Sequence, residues 1–128
     1  MQGLVIREPY CALILDGKKI WEMRRRDTPK RDMFAVIRKG SGLVFGVARI
    51  KETLAPLTTL EELEATEQYH QIPKPELALA LKNGWTRPLV LTDVLELEHP
   101  VAYKHNCGAT TWVNLAVDVI DAIKRQLQ

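Results

Sequence analysis

The close spacing of turn-forming residues is the feature that most constrains how this chain can fold. Glycine and proline interrupt the apolar runs at Pro9, Gly17, Pro29, Gly40, Gly42 and Gly84. Such residues end one helix or strand and begin the next, so the segments between them can form only short elements. At 128 residues, the chain is long enough to bury a core without disulfides or metals. We therefore expect one domain over residues 1–128.

Short strands interrupted by short helices are predicted along the whole chain. Strands are predicted at residues 3–7, 20–24, 33–37, 43–54 and 89–97, with shorter ones at 101–103 and 111–117. Helices are predicted at residues 9–16, from 58, from 75 to 83 and at 118–127, and residues 68–73 are expected to be irregular. Gly46, inside a predicted strand, indicates a bulge or a close approach of another backbone. This order predicts an α+β fold, with a mostly antiparallel or mixed sheet curled into a small β-barrel.

Residues 19–24 alternate between apolar and charged side chains, as a half-buried strand does. In a regular strand, one face would carry Ile20, Glu22 and Arg24, and the other would carry Lys19, Trp21 and Met23. Glu22 and Arg24 would then be neighbours. They could form a purely structural ion pair, or Glu22 could orient Arg24 towards a ligand.

Positive charge is concentrated in residues 18–39, although the net charge of the chain is only +2. This segment has nine basic and three acidic side chains. The basic ones are Lys18, Lys19, Arg24, Arg25, Arg26, Lys30, Arg31, Arg38 and Lys39. Such an asymmetry favours a polyanionic partner on one side of the molecule. The alternative is a solvated charged loop.

The sequence gives no support for a membrane, disulfide, metal or nucleotide-cofactor function. No apolar run approaches the ~20 residues of a membrane helix, and the first residues lack the apolar stretch of a secretory signal. Cys11 and Cys107 form neither a disulfide framework nor a C-x-x-C zinc motif. His105 and Cys107 together would supply only two metal ligands. We expect a cytoplasmic protein without a metal or cofactor.

Residues 17–24, Gly-Lys-Lys-Ile-Trp-Glu-Met-Arg, resemble the G-x-K-x-x-E-x-R signature of the ASCH domain, the activating signal cointegrator homology domain. Its four fixed positions are occupied by Gly17, Lys19, Glu22 and Arg24. The Pro-aromatic helix predicted just before the signature, and residues 99–113 near the other end, also resemble members of this family. The resemblance therefore spans nearly the whole chain.

The resemblance implies a PUA-like β-barrel with a cleft beside it, floored by the signature residues. The family is associated with RNA binding, and some members hydrolyse an acylated cytidine nucleoside or are reported as ribonucleases. The implied partner is RNA, either tRNA or a single-stranded segment, or a nucleoside-like ligand. Three functions remain open, which we rank as an RNA-binding module, a hydrolase of RNA or a modified nucleoside, and a protein-interaction module.

The candidate binding residues combine cations with aromatic rings. Those suited to phosphate or base contacts are Lys18, Lys19, Glu22, Arg24, Arg25, Arg26, Lys30 and Arg31. Those suited to stacking on unpaired bases are Tyr10, Trp21 and Tyr103. The position of Tyr10 near a helix start favours exposure. Trp85 and Trp112 are expected to pack on the core instead.

The candidate catalytic residues, if the protein is an enzyme, are Lys19, Glu22 and His105. Lys19 is suited to stabilising a phosphoryl transition state, and Glu22 or His105 to acting as a base. The amidohydrolases of the family use a threonine nucleophile at the position that Glu22 occupies here. A carboxylate cannot replace that hydroxyl in simple acyl transfer, so a threonine-dependent amidase is not predicted.

Overall fold

The computed structural model of the protein describes residues 1–106, 108 and 111–128. Its strands are β1 (Gln2–Ile6), β2 (Trp21–Arg24), β3 (Phe34–Arg38), β4 (Leu43–Thr53), β5 (Arg87–Ala102) and β6 (Trp112–Asn114). Its helices are α1 (Tyr10–Leu15), α2 (Leu60–Ala65), α3 (Glu67–His70), α4 (Leu77–Asn83) and α5 (Val117–Gln126), with one 3-10 turn at Lys74–Glu76. Helix α3 occupies a segment predicted to be irregular, and that prediction is wrong. Short four-residue helices lack the periodicity that reveals longer ones.

The six strands form one mixed sheet in the order β2-β5-β4-β3-β1-β6. Strands β1 and β3 are parallel, and the other neighbours are antiparallel. The parallel pair requires a crossover connection, and that connection contains α1 and β2. The sheet forms a half-barrel with flanking helices, which confirms the predicted α+β fold.

Both faces of the sheet are covered by apolar side chains, and residues 34–37 of the central strand β3 are all apolar and buried. Phe34 and Val36 of β3 point to one core, which includes side chains of α1, α2 and α4. Ala35 and Ile37 point to the other core, which α5 covers through Val119, Ile123 and neighbouring side chains. A strand that is buried on both faces loses the apolar–polar alternation of a half-exposed strand.

Strand β5 joins β2 to the rest of the half-barrel, because it pairs with β2 on one side and with β4 on the other. Two separate strands were predicted where this single 16-residue strand lies, since His99-Pro100 indicates a break. In the register between β4 and β5, Gly46 faces Glu96 while Val44 faces Val101. The residues between Glu96 and Val101 therefore form a bulge, where a proline displaces no ladder hydrogen bond.

Gly46 lies where α1 and the backbone of the neighbouring strand β5 both come close to β4, as the sequence predicts. A Cβ atom at this position would come within 2.5 Å of a Leu15 side-chain carbon and 2.7 Å of the Leu95 carbonyl oxygen. The missing side chain lets α1 pack directly on the sheet. Because α1 leads into the signature segment, this contact helps to fix the depth at which Lys19 lies.

Two helices end or begin at residues that cap them. The Thr59 hydroxyl accepts a hydrogen bond from the Glu62 N–H at 3.1 Å, which caps α2. Gly84 ends α4 in the left-handed conformation, with φ of 75°. Among the residues that the structure describes, none of the helices combines the length and apolarity needed to cross a bilayer.

Candidate functional site

The turn after α1 determines where Lys19 lies. Gly17 adopts the left-handed conformation with φ of 81°, and the N–H groups of Lys18 and Lys19 both donate to the Leu13 carbonyl at 3.0 Å. Lys19 therefore still belongs to the helix cap, and β2 begins only at Trp21. The prediction that Lys19 lies on the strand face opposite Glu22 is wrong, because strand alternation starts two residues later.

Glu22 lies in the edge strand β2 and contacts two cationic side chains. One oxygen of its carboxylate accepts a hydrogen bond from Arg24 Nε at 2.8 Å and forms an ion pair with Arg24 Nη2 at 2.7 Å. Its other oxygen lies 3.9 Å from Lys19 Nζ. Arg24 is also anchored to the Val5 carbonyl at 3.0 Å. Glu22 is only 6% exposed, so these charges interact with little solvent screening.

Lys19 is a buried lysine, with 2% of its surface exposed. Its ammonium donates to the His70 carbonyl at 2.5 Å and lies 4.8 Å from the centre of the Tyr10 ring. Burial lowers the pKa of Lys19 to about 8, with Glu22 opposing the shift and Arg24 adding to it. Lys19 can therefore lose its proton at a pH near neutrality far more readily than a surface lysine.

His70 holds the loop that receives the Lys19 ammonium. Its imidazole is completely buried, with Nε2 2.7 Å from the Leu63 carbonyl and Nδ1 accepting from the Ile72 N–H at 2.9 Å. These partners assign the proton of a neutral ring to Nε2. Burial lowers the pKa of His70, and the positive charge of Lys19 lowers it further, while the bond to Leu63 and the charge of Glu67 oppose the shift.

We expect the protein to lose stability as the pH falls below about 6.5, the ordinary pKa of histidine. The pKa of His70 is lower in the folded chain, so acid protonates the unfolded chain first. The unfolded chain then binds up to one proton more than the folded chain, and the free energy of unfolding falls by up to ~1.4 kcal/mol for each pH unit. Denaturant unfolding of His70→Gln, which does not titrate, should show a flatter acid dependence. His99→Gln is the matched control, because the His99 side chain is 79% exposed. An equal slope in wild type and His70→Gln would contradict this prediction.

Tyr10 forms part of the floor of the site rather than an exposed platform. It is 7% exposed, so the expectation of exposure is wrong. The ring packs under Lys19 and beside Arg7, whose guanidinium carbon is 5.1 Å from its centre. The hydroxyl donates to Glu76 at 3.3 Å. Burial and the nearby Glu76 carboxylate raise the pKa of Tyr10.

These side chains surround a cleft of about 320 Å³, a volume within the usual range for small-ligand sites. Its walls are built from β1, α1, β2 and α4. The polar lining residues are Arg7, Tyr10, Lys19, Glu22, Arg24, Lys39 and Glu76. Apolar side chains, including Met23, Ile72 and Trp85, complete the walls. The sequence resemblance predicts a cleft floored by the signature residues, and the geometry brings Lys19, Glu22 and Arg24 together in one.

The remaining cations that were predicted to bind the ligand do not line the Lys19 cleft. Arg25 and Arg26 line a neighbouring cleft, and Lys18 is exposed on the turn after α1. Lys30 Nζ bonds to Gln2 at 3.1 Å and to Asp32 at 3.1 Å. Arg31 donates to two backbone carbonyls of its own loop. Lys30 and Arg31 are thus engaged by the fold. Arg25, which also donates to the Asn83 carbonyl, and Arg26 border a cavity.

The predicted aromatic platforms lie in separate places. Trp21 stacks on Tyr69, with ring centres 4.8 Å apart. Tyr103 contacts His105 through its hydroxyl, 3.2 Å from Nδ1. Neither Tyr103 nor His105 lines the cleft of Lys19 among the described residues. Trp85 and Trp112 pack against the core as expected.

No cluster of metal-ligating side chains is present within residues 1–106, 108 and 111–128. Cys107, which with His105 would form only an incomplete set of metal ligands, lies outside the described residues. Sequence reasoning missed Arg7, Lys39, His70 and Glu76 as parts of the site. The usable signal for Arg7 was its position directly before the Pro-aromatic helix. The remaining three are brought in only by tertiary packing.

Comparison with known proteins places these features in a family. The model of the ASCH domain matches residues 4–106, so the chain belongs to the ASCH domain family, whose members have a PUA-like fold. A crystal structure of ASCH from Zymomonas mobilis is similar, with a TM-score of 0.74, 12% identity, and coverage of 97% of this chain and 93% of that one. Structures of two mutants of the Zymomonas mobilis protein give TM-scores of 0.71 and 0.70, each at 12% identity and 97% coverage of this chain, covering 96% and 94% of those chains. At that identity the likeness concerns the fold. No curated protein matches the chain.

Proposed function

We propose that this ASCH domain binds RNA, and that the cleft around Lys19, Glu22 and Arg24 receives one nucleotide unit of a single-stranded segment. The observation that carries the proposal is the cation pair held by one buried carboxylate. Glu22 fixes Arg24 at 2.7 Å and attracts Lys19 at 3.9 Å. Two preorganised cations next to a cavity are suited to bind an anionic group without further ordering.

The charge of the cleft supports an anionic ligand. Its lining includes four cationic side chains, Arg7, Lys19, Arg24 and Lys39, against the carboxylates of Glu22 and Glu76. The apolar walls and the Tyr10 ring would exclude water from a base or sugar. A phosphate with an attached flat ring satisfies both features, which is the chemistry of a nucleotide.

The test uses the exposed cations at the rim, because their removal leaves the buried network intact. Arg7 and Lys39 are both exposed. Arg7→Ala and Lys39→Ala should each weaken binding of a fluorescent single-stranded RNA. Each should also reduce the slope of log affinity against log salt by about 0.7 if one phosphate contact is lost.

Lys124→Ala on α5 is the control, since Lys124 is exposed and lies on the helix that covers the opposite core. This variant should titrate like wild type, apart from a small nonspecific effect of net charge. Equal affinity and equal salt slope in Arg7→Ala, Lys39→Ala and Lys124→Ala would show that RNA does not occupy this cleft.

A hydrolase acting on RNA or on a modified nucleoside is the second candidate, and the pKa of Lys19 favours it. A lysine whose pKa is about 8 can act as a base near neutral pH, which an ordinary lysine cannot. Mass spectrometry of a mixed tRNA pool and of an acylated cytidine, each incubated with the protein, would detect strand scission or loss of the acyl group. A product that disappears in Lys19→Ala would move this candidate into first place.

A protein-interaction module is the third candidate. It would be favoured by a dispersed basic strip and by the lack of a cleft. The lining of the Lys19 cleft, with four cations around one cavity, gives more support to a compact anionic ligand.

A further inference from the structure

We propose that the cleft bordered by Arg24, Arg25 and Arg26 is a second nucleotide subsite, which binds the neighbour of the nucleotide in the Lys19 cleft. This inference rests on the proposed RNA-binding function. The second cleft has a volume of about 660 Å³, about twice that of the Lys19 cleft at about 320 Å³. A cavity of this size can hold a base together with its ribose and phosphate.

The two clefts are adjacent, because Arg24 and Trp85 line both of them. Arg24 is fixed through two nitrogens of its guanidinium: Nε donates to Glu22 at 2.8 Å, and Nη2 donates to the Val5 carbonyl at 3.0 Å. A ligand with one unit in each cleft would place the group that connects the two units beside the rigid guanidinium of Arg24. In a nucleic acid strand, the connecting group between two units is a phosphodiester.

The floor of the second cleft is apolar and partly aromatic. It is formed by Leu4 and Leu89, which are 1% and 2% exposed, and by the indoles of Trp85 and Trp112. The Trp112 ring is held from two directions. Phe34 meets it edge-on with centres 5.4 Å apart, and Lys30 Nζ lies 5.0 Å from its centre. A rigid aromatic side chain loses little entropy when a base packs against it.

The rim of the second cleft is basic. Arg25 donates to the Asn83 carbonyl at 3.0 Å, which ties this side chain to the end of α4. Arg26 is exposed and lines the same cavity. Among the described residues that line this cleft, Asp27 supplies the one carboxylate. It lies 4.0 Å from the Arg87 guanidinium. Arginines around an apolar floor fit a base with an attached phosphate better than a neutral apolar ligand.

The test compares adenosine 5′-monophosphate with the 5′-phosphorylated diadenosine dinucleotide by isothermal titration calorimetry at low salt. If the two clefts hold consecutive nucleotides, the dinucleotide should bind wild type at least about tenfold more tightly, since base stacking contributes ~1–3 kcal/mol. Arg26→Ala and Trp112→Leu should remove most of this difference, because both side chains line the second cleft. Arg125→Ala on α5 is the matched arginine control and should retain the full difference.

The outcomes separate this inference from the proposed function. If both ligands bind wild type equally, and a substitution of Lys19 weakens both affinities, the proposed function stays intact and the second subsite is overturned. A dinucleotide advantage that persists in Arg26→Ala and Trp112→Leu would also overturn it. Binding of neither ligand would overturn the proposed function and the subsite together. Thermal unfolding of each variant identifies misfolding, and Arg26→Ala, which alters an exposed side chain, keeps the test valid if Trp112→Leu is unstable.

Discussion

Lys19→Met should weaken RNA binding by about 30-fold or more while making the folded protein more stable. The loss of affinity is that of a charge-assisted contact, which contributes about 2–3 kcal/mol. The gain in stability follows from the buried position of the ammonium, which is 2% exposed and whose pKa falls to about 8. A shift of that size corresponds to roughly 3 kcal/mol of unfavourable charge burial. Methionine fills a similar volume without a charge, although it leaves the His70 carbonyl without its present donor.

The same substitution should remove a pH dependence on the alkaline side. Below pH 8, Lys19 is charged in both the folded and the unfolded chain, so its contribution is constant. Between about 8 and the ordinary value of 10.5, the unfolded chain retains a proton that the folded chain has lost. The free energy of unfolding of wild type relative to Lys19→Met should therefore increase with pH in this interval, by up to ~1.4 kcal/mol per pH unit.

Lys18→Met is the matched control for this experiment, because Lys18 is the exposed neighbour in the same turn. Denaturant unfolding from pH 7 to 10 should give parallel curves for wild type and Lys18→Met. A Lys19→Met protein that is less stable than wild type at pH 7 would mean that the ammonium stabilises the fold. The interpretation of Lys19 as a residue retained for binding at a cost in stability would then be wrong.

Glu22→Ala should have the largest effect on stability, with a loss of about 3–5 kcal/mol at pH 7. The substitution removes the carboxylate from a position 2.7 Å from Arg24 and 3.9 Å from Lys19. The buried ammonium is then left with only neutral partners, and one buried unpaired charge costs far more than an exposed ion pair contributes. In thermal unfolding the midpoint should fall by roughly 10 °C or more for a domain of this size.

A double substitution identifies the cause of this loss. When Lys19→Met is combined with Glu22→Ala, the unpaired charge disappears, and much of the lost stability should return. Glu98→Ala is the control, because the Glu98 side chain is 85% exposed and should change the midpoint very little. If Lys19→Met stabilises the Glu22→Ala protein no more than it stabilises wild type, the two effects are independent, and Glu22 acts through packing and not through its charge on Lys19.

Features that depend on neighbouring residues were predictable from the sequence. Gly17 and Gly84 end helices because only glycine adopts the left-handed conformation without strain, and Thr59 caps α2 through a bond to a residue three positions later. The signature residues Lys19, Glu22 and Arg24 are likewise recognisable from their spacing. For these positions, local geometry and chemistry are sufficient.

Features that depend on distant contacts were not predictable in the same way. Burial of Lys19 is unexpected for a lysine and arises from α3, whose His70 carbonyl receives the ammonium. Strand β5 continues through Pro100 because a bulge opposite β4 removes the need for an amide donor there. No pattern within residues 17–24 indicates either of these contacts.

The antiparallel pairing of β2 with β5 has a consequence for how the protein acquires its site. Residues that contact Lys19 and Tyr10 lie 51 and 66 positions further along the chain, and β2 is held to the sheet by β5, which begins at Arg87. Contacts between such distant segments form slowly, because the intervening loop must close first. During synthesis on the ribosome, the signature segment therefore emerges long before the strand that completes its surroundings. A nascent or truncated chain carries the motif without the cleft, so capacity for binding should appear only once the domain is complete.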